Sequence, residues 1–225
     1  MISIFKTMAT ANEHPRPQSV LRLAAAALIL GLIASGSARA EEVRPLHLMT
    51  LAQDDQSHTM TQNEELTADQ QSRQSALLKI VRESTERFQD VRAAENEGYH
   101  LEFGCVSGDD FGAMGLHYVN DTLVHYGIVD AKRPQIILYE AQPNGRLKLT
   151  GADYLVLAEQ WDANHPGVTP QLMGQIFHYF ASPNRFGLPA FYTLHVWAWK
   201  ENPKGAFVNW HPHVSCQSFV GKTTR

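Results

Sequence analysis

The stretch 191–199 (FYTLHVWAW) constrains the fold more than any other part of the chain. Aromatic and β-branched residues are abundant in it, and these residue types favour extended backbone. Side chains on a strand alternate between two faces, and both alternating sets are largely apolar here. Because a strand with two apolar faces needs cover on both, the stretch predicts a central, buried strand of a sheet.

Further strand and turn signals surround that stretch. The segment 135–141 (QIILYEA) has a strand-like composition, and Asn144-Gly145 after it is a strong two-residue hairpin signal with 146–149 returning. Short links between consecutive strands indicate an antiparallel meander. The remaining expectations are strands at 99–105, 116–119 and 153–158, a glycine-rich loop at 104–115, and a final strand pair or extended tail at 207–219.

Two segments predict helices. Thr67 and Gln70 form a capping-box pattern at the start of an amphipathic helix over 68–96. A shorter helix is predicted after Thr169-Pro170, where apolar residues recur at helical spacing until Pro183. Together these elements predict an α+β fold, in which an N-terminal helix packs on a mainly antiparallel β-sheet or a small open barrel.

The N-terminus has the pattern of an export signal. Arg16 and Arg22 precede a continuous apolar run at 23–34, which is short for a membrane span. Ala38-Arg39-Ala40 then gives the small-x-small pattern of a cleavage site, so cleavage is expected before Glu41. The alternative is an uncleaved N-terminal anchor.

Cleavage defines the predicted organisation: a signal peptide at 1–40, a polar flexible leader at 41–66, and one globular domain at 67–225. It removes four basic residues and one acidic residue, so the formal net charge changes from −4 to −7. A negative chain without a Lys/Arg cluster argues against nucleic-acid binding and against attachment to an anionic membrane after cleavage. The expected location is the periplasm or the extracellular space.

The chain contains two cysteines, Cys105 and Cys216. Export places them in an oxidising compartment, where two thiols usually pair, so a Cys105–Cys216 disulfide is predicted. A metal-binding or catalytic role for the pair is the weaker alternative, because no C-x-x-C motif occurs.

Histidines are the main candidates for chemistry. His195 lies inside the predicted buried strand, and its ring nitrogens need partners there. If neighbouring strands converge, His117, Glu140 and His195 form an open site for a divalent transition metal such as zinc, iron or copper. The same groups can act as an acid/base cluster, or the histidines can be buried side chains with ordinary hydrogen bonds.

A second histidine pair lies near the C-terminus, in His211-Pro212-His213. Residues two apart on an extended segment point the same way, so both rings can reach one cation. The alternative interpretation is an exposed loop. Motifs such as G-x-S-x-G, H-E-x-x-H, the P-loop and the Rossmann glycine pattern are absent from the sequence, so no reaction is indicated.

Three segments together resemble a group of exported bacterial proteins to which no biochemical role is assigned: GAMGLHYVN (112–120), PQIILYEAQPNGRLKLTGADYLV (134–156) and LHVWAWKENPKGAFVNWHPHVSC (194–216). In that group the residue before the proline at 212 tends to be Asn rather than His211. The resemblance therefore favours His117, Glu140 and His195 as candidate ligands, and it implies export but no catalytic residues.

Two functions follow as expectations. The first is an exported, periplasmic pocket protein that binds a metal ion or a small molecule at the His/Glu cluster. The second is a non-catalytic envelope or interaction protein, whose buried histidines are structural.

Overall fold

The structure is a computed structural model that describes residues 66–108 and 110–225. The predicted signal peptide at 1–40 and leader at 41–66, except Leu66, lie outside the described residues. The helices are α1 (Ala68–Thr85), a short 3-10 helix (Glu86–Gln89), α2 (Val91–Asn96), α3 (Asp121–Tyr126) and α4 (Ala158–Asn164). Among the described residues, no helix combines the length and apolar character that crossing a bilayer requires.

Nine strands are assigned in the described part of the chain. They are β1 (His100–Gly108), β2 (Gly112–Val119), β3 (Ile136–Ala141), β4 (Leu147–Leu157), β5 (Gln171–Leu172), β6 (Gln175–Ile176), β7 (His178–Phe180), β8 (Phe191–Val196) and β9 (Thr223–Thr224).

Seven of these strands form one sheet in the order β7-β8-β4-β3-β2-β1-β9, and the sheet is curled into a half-barrel. All its neighbours are antiparallel except β1 and β9. β5 and β6 pair separately as a small hairpin. The predicted α+β class with a mainly antiparallel sheet is confirmed. β8, the predicted buried strand, ends at Val196 and is paired on both sides, with β7 and β4.

The helical layer covers one face of the sheet. Leu77 and Val81 of α1 pack in a cluster with Tyr154 of β4 and with Leu194 and Val196 of β8. Burial of this apolar surface drives the contact. Hydrogen bonds across the layer fix its position: the Tyr139 hydroxyl donates to the Phe88 carbonyl at 2.7 Å, and Trp199 Nε1 donates to Thr85 Oγ1 at 2.9 Å.

The opposite face of the sheet is covered by the segment 181–190, which connects β7 to β8. Leu188 from this segment is buried against Ile136, Leu155 and Phe191, which point away from α1 and α2, and Val124 of α3 joins the same cluster. Because side chains alternate along each strand, His117, Asp153 and His195 also point to this face. The sheet thus presents these polar residues to an apolar layer rather than to water.

Two helix predictions need correction. The helix predicted over 68–96 begins with the predicted Thr67–Gln70 capping box, but it ends at Thr85 and restarts at Val91, where the Asp90 side chain caps α2. The helix predicted after Thr169-Pro170 is wrong, because those residues form β5, β6 and β7.

Two strand predictions also differ from the structure. The predicted loop 104–115 is largely a hairpin, since β1 runs to Gly108 and β2 begins at Gly112. The segment 207–219, which is fully described, contains no strand beyond an isolated bridge between Ala113 and His211. The segment is a series of turns and bends rather than a strand pair or an extended tail, and the predicted Cys105–Cys216 disulfide holds it to β1.

Candidate metal centre

Three strands bring His117, Asp153 and His195 together. Asp153 on β4 and His195 on β8 are direct cross-strand partners. His117 lies on β2, separated from β4 only by β3. One possible ligand atom from each residue lies within 4.8 Å of the other two. The three residues are only 3%, 2% and 3% exposed, so the group is shielded from bulk water.

Two members of the group, His117 and Asp153, are oriented by hydrogen bonds with residues outside the cluster. Nδ1 of His117 lies 3.3 Å from the carbonyl oxygen of Gly115. A carbonyl only accepts, so Nδ1 is the protonated nitrogen, and Nε2 keeps its lone pair for a ligand. Oδ1 of Asp153 accepts from the Thr193 hydroxyl at 2.5 Å.

His195 is the unusual member. Its Nδ1 lies 3.4 Å from Asp153 Oδ1, but the geometry is not that of a hydrogen bond, and neither ring nitrogen has a hydrogen-bond partner among the described residues. A buried polar group without a partner typically costs about 1–3 kcal/mol. The sequence predicts Glu140 or His117 as its partner. The carboxylate beside His195 is instead Asp153, and the His117 ring lies 5.6 Å away between centroids.

Burial sets the protonation of the cluster. It lowers the pKa of His117 to about 4, helped by the neighbouring His195. It lowers the pKa of His195 to about 3, with His178 as a further cause. It raises the pKa of Asp153 to about 6, against the opposing effects of His117 and of the Thr193 hydrogen bond. At neutral pH the site therefore offers two neutral imidazoles and a carboxylate, which is the ligand state that metals require.

Glu140 does not belong to this group, which is a correction to the predicted ligand set. Its carboxylate accepts from Lys200 Nζ at 2.6 Å and from the Ser215 backbone N–H at 3.2 Å. The register against β4 shifts just before it, between Leu138 and Tyr139. Glu140 thus lies at the end of β3 where the C-terminal tail crosses, and it serves to hold that tail.

Asp153 is the residue that the sequence interpretation missed. It occupies an inward position of β4, in step with Leu155 and Leu157, in a segment whose other residues are mostly apolar. A lone carboxylate at an inward position of a buried strand is a usable sequence signal, because burying it without a partner is expensive.

His211 and His213 do not form a second cation site. His211 is fully buried, its Nε2 donates to the Glu201 carbonyl at 3.0 Å, and its Nδ1 accepts from the His213 backbone N–H at 3.0 Å. Both ring nitrogens are used, so His211 has no lone pair to give to a metal. His213 is exposed.

A cavity of about 20 Å³ adjoins the three candidate ligands. Its polar lining consists of the cluster itself and Thr193. The other lining residues are apolar: Phe103, Met114, Ile136, Leu155, Phe180, Phe186, Leu188 and Phe191. Room of this size admits one or two heavy atoms.

Comparison with known proteins adds no assignment: no family model, no curated protein and no solved structure matches the chain. The chemistry of the site therefore has to be derived from its own geometry.

Proposed function

We propose that this chain is an exported protein that binds one divalent transition-metal ion through His117, Asp153 and His195. The observation that carries the proposal is His195, a buried imidazole with two unsatisfied nitrogens placed beside a carboxylate and a second imidazole. A metal ion satisfies the lone pair of His195 and neutralises the buried charge of Asp153 in one step.

The donor set indicates the kind of metal. Two imidazoles and one carboxylate suit zinc, iron(II), copper(II) and similar borderline ions, whereas calcium and magnesium prefer oxygen ligands. The hydrogen bonds to the Gly115 carbonyl and from Thr193 are of the kind that orient ligating side chains. Three protein ligands also leave at least one coordination position open.

The alternative, structural histidines in a non-catalytic protein, fits His211 better than His195. His211 shows how this fold satisfies a structural imidazole, with one donated and one accepted hydrogen bond. An acid/base relay between Asp153 and His195 needs a hydrogen bond from Nδ1 to the carboxylate, and the 3.4 Å contact does not provide one.

Export is supported by the disulfide and by the pattern at 1–40. Sequencing the N-terminus of protein recovered from the periplasm of a bacterial host tests this part. Glu41 as the first residue is expected, and an intact Met1 in periplasmic material contradicts it.

The metal proposal is tested by titrating tag-free, chelator-treated protein with Zn²⁺ or Co²⁺ and counting bound metal. One equivalent is expected for wild type and for His125→Ala, a control that removes an exposed histidine outside the cluster. His195→Leu and His117→Leu should each lose that equivalent while keeping the wild-type circular dichroism spectrum. Equal metal content in folded wild type and both cluster variants contradicts the proposal.

A further inference from the structure

The residues that line the cavity beside the candidate metal centre offer a ligand few polar contacts. Its lining residues carry no polar side chain except the three candidate ligands and Thr193. Thr193 already donates its hydroxyl hydrogen to Asp153, and the Nδ1 hydrogen of His117 points to Gly115. An occupant therefore finds apolar contact and an open metal position, and the one unpaired donor among these lining residues is the N–H of His195.

Four phenylalanine rings line the cavity, and three of them, Phe103, Phe180 and Phe186, are only partly buried. Phe103 and Phe186 meet at 5.4 Å between centroids, and Phe186 and Phe191 meet at 5.9 Å. Phe180 stacks on Phe191 at 5.0 Å. Rings at these distances are in direct contact, so the enclosure is closely packed.

The backbone of β1 is distorted where it supplies one of these rings. Phe103 has a φ of 49°, which is uncommon for a residue other than glycine, and the β1–β2 register shifts between Leu101 and Cys105. Leu101 and Cys105 belong to the cluster on the helical side, whereas Phe103 packs on the opposite side, with its ring 6.3 Å from that of His117. Such distortion persists where the surrounding structure enforces it, often at functional sites. Here the distortion of β1 places the Phe103 ring against the cavity.

The size and polarity of the cavity restrict its occupant. About 20 Å³ admits one or two heavy atoms and not an organic ring or a tetrahedral oxyanion. A phosphate or carboxylate also needs several hydrogen-bond donors, which these walls lack. A neutral diatomic molecule needs little space and no array of hydrogen-bond donors, and it can coordinate the metal end-on.

We propose that this centre, when it holds Fe²⁺, binds a neutral diatomic gas of the dioxygen, nitric oxide or carbon monoxide class at its open coordination position, and that the phenylalanine enclosure excludes larger ligands. This inference rests on the proposed metal site. It concerns reversible binding alone: any transfer of electron density stays within the metal–ligand complex, so no external oxidant or reductant is required.

The test uses protein loaded with Fe²⁺ under anaerobic conditions, with bound iron counted first. Nitric oxide is then added, and the electron paramagnetic resonance signal of a high-spin iron–nitrosyl centre is measured. A signal equal to the bound iron is expected. Absence of bound iron overturns the metal site and this inference together, whereas bound iron without the nitrosyl signal overturns this inference alone.

Selectivity is tested on Co²⁺-loaded protein with imidazole and inorganic phosphate as larger probes. Neither should change the visible absorption of the cobalt centre at concentrations that saturate an open cobalt site. Phe186→Ala should admit imidazole, while Phe111→Ala, which removes an exposed ring outside the enclosure, should behave as wild type. Binding of imidazole or phosphate to wild type overturns the inference, because the site is then open to larger ligands. Should Phe186→Ala lose its cobalt, Leu188→Ala provides the enlarged cavity, and its failure to admit imidazole counts against the enclosure.

Discussion

Two buried histidines in this fold have opposite environments. His211 is satisfied at both nitrogens by backbone groups, whereas His195 has no hydrogen bond among the described residues. The difference gives His195 a stability penalty in the metal-free protein. A residue that lowers stability in one state and completes a ligand set in another has the energetic profile of a functional residue.

Replacing His195 by Leu is expected to stabilise the metal-free protein. Leucine is of similar size and removes a buried polar group without a partner, so a gain of about 1–3 kcal/mol in the free energy of unfolding is expected. Urea unfolding in the presence of a chelator measures it. The matched variant His211→Leu should instead lose stability, because it leaves the Glu201 carbonyl and the His213 N–H unpaired. A loss of several kcal/mol in His195→Leu would show that the imidazole is structural.

The lowered pKa values of His117 and His195 predict that metal-free protein loses stability in mild acid. Between pH 6.5 and about 4, the unfolded chain protonates both imidazoles and the folded chain does not. Asp153 opposes this below about pH 6, because its raised pKa lets the folded chain hold one proton more. The net uptake on unfolding near pH 5 is one proton from the three groups, so stability falls by about 1.4 kcal/mol per pH unit.

Urea unfolding at pH 7, 6 and 5 with chelator present measures this dependence. His195→Leu lacks one of the two imidazoles, so its free energy of unfolding should fall less steeply with acid than that of wild type. Parallel curves for the two proteins contradict the assignment of a depressed pKa to His195.

At the residue scale, the sequence predicts the convergence of two histidines but not their carboxylate. His117 and His195 are conspicuous because each interrupts an apolar strand. Glu140 satisfies the same criterion, and only the strand register distinguishes it from Asp153. Register depends on a bulge and on non-local pairing, neither of which a pattern of period two reveals.

At the element scale, the region after Thr169-Pro170 shows how apolar spacing can mislead. Leu172 and Phe177 are buried with Leu77 and Val81 of α1, which a helix can also achieve. However, Met173 and Gly174 both have positive φ, 50° and 86°, between the paired residues Leu172 and Gln175. Two such residues make a tight hairpin turn that a helix cannot contain. Gly174 is the residue in the sequence that indicates this turn, although the spacing of the apolar residues favours a helix.

Glycines inside the strands have a different role, which a matched pair of substitutions tests. Gly115 and Gly145 have similar φ values of 87° and 77°, so alanine at either position costs about 1–2 kcal/mol in backbone strain. An added Cβ at Gly115 would lie 2.5 Å from the Tyr139 carbonyl oxygen, whereas at Gly145 it meets nothing within 4 Å. Gly115→Ala should therefore lose clearly more stability in urea unfolding. It should also weaken metal binding, because the Gly115 carbonyl orients His117. Equal losses in the two variants would show that β2 and β3 separate easily.

At the scale of the whole molecule, the sequence predicts the layers that cover the sheet better than it predicts the course of the C-terminal tail. The stretch 191–199 predicts cover on both faces, and the structure provides α1 on one face and the segment 181–190 with α3 on the other. The capping box and the disulfide are also predictable from the sequence, because each depends on a few residues of definite chemistry. The conformation of the tail at 207–219 is not predictable in this way. The tail is held by Glu140, by the Ala113–His211 bridge and by the disulfide rather than by a repeating pattern.

The disulfide is expected to supply a large share of the stability of the fold without contributing to the metal centre. It joins residues separated by 111 positions, and closing a loop of that size stabilises a protein by about 4–5 kcal/mol on the chain-entropy model, with measured losses of about 2–5 kcal/mol. Cys105 lies in β1 within the cluster on the helical side, whereas the candidate ligands face the opposite side. The double variant Cys105→Ala/Cys216→Ala should therefore lose about 2–5 kcal/mol in urea unfolding and still bind one equivalent of Co²⁺ at a temperature where it is folded. Wild type that is denatured without a reductant should not react with a thiol-alkylating agent. An unchanged free energy of unfolding in the double variant, or reactive thiols in the unreduced wild type, contradicts this role of the disulfide.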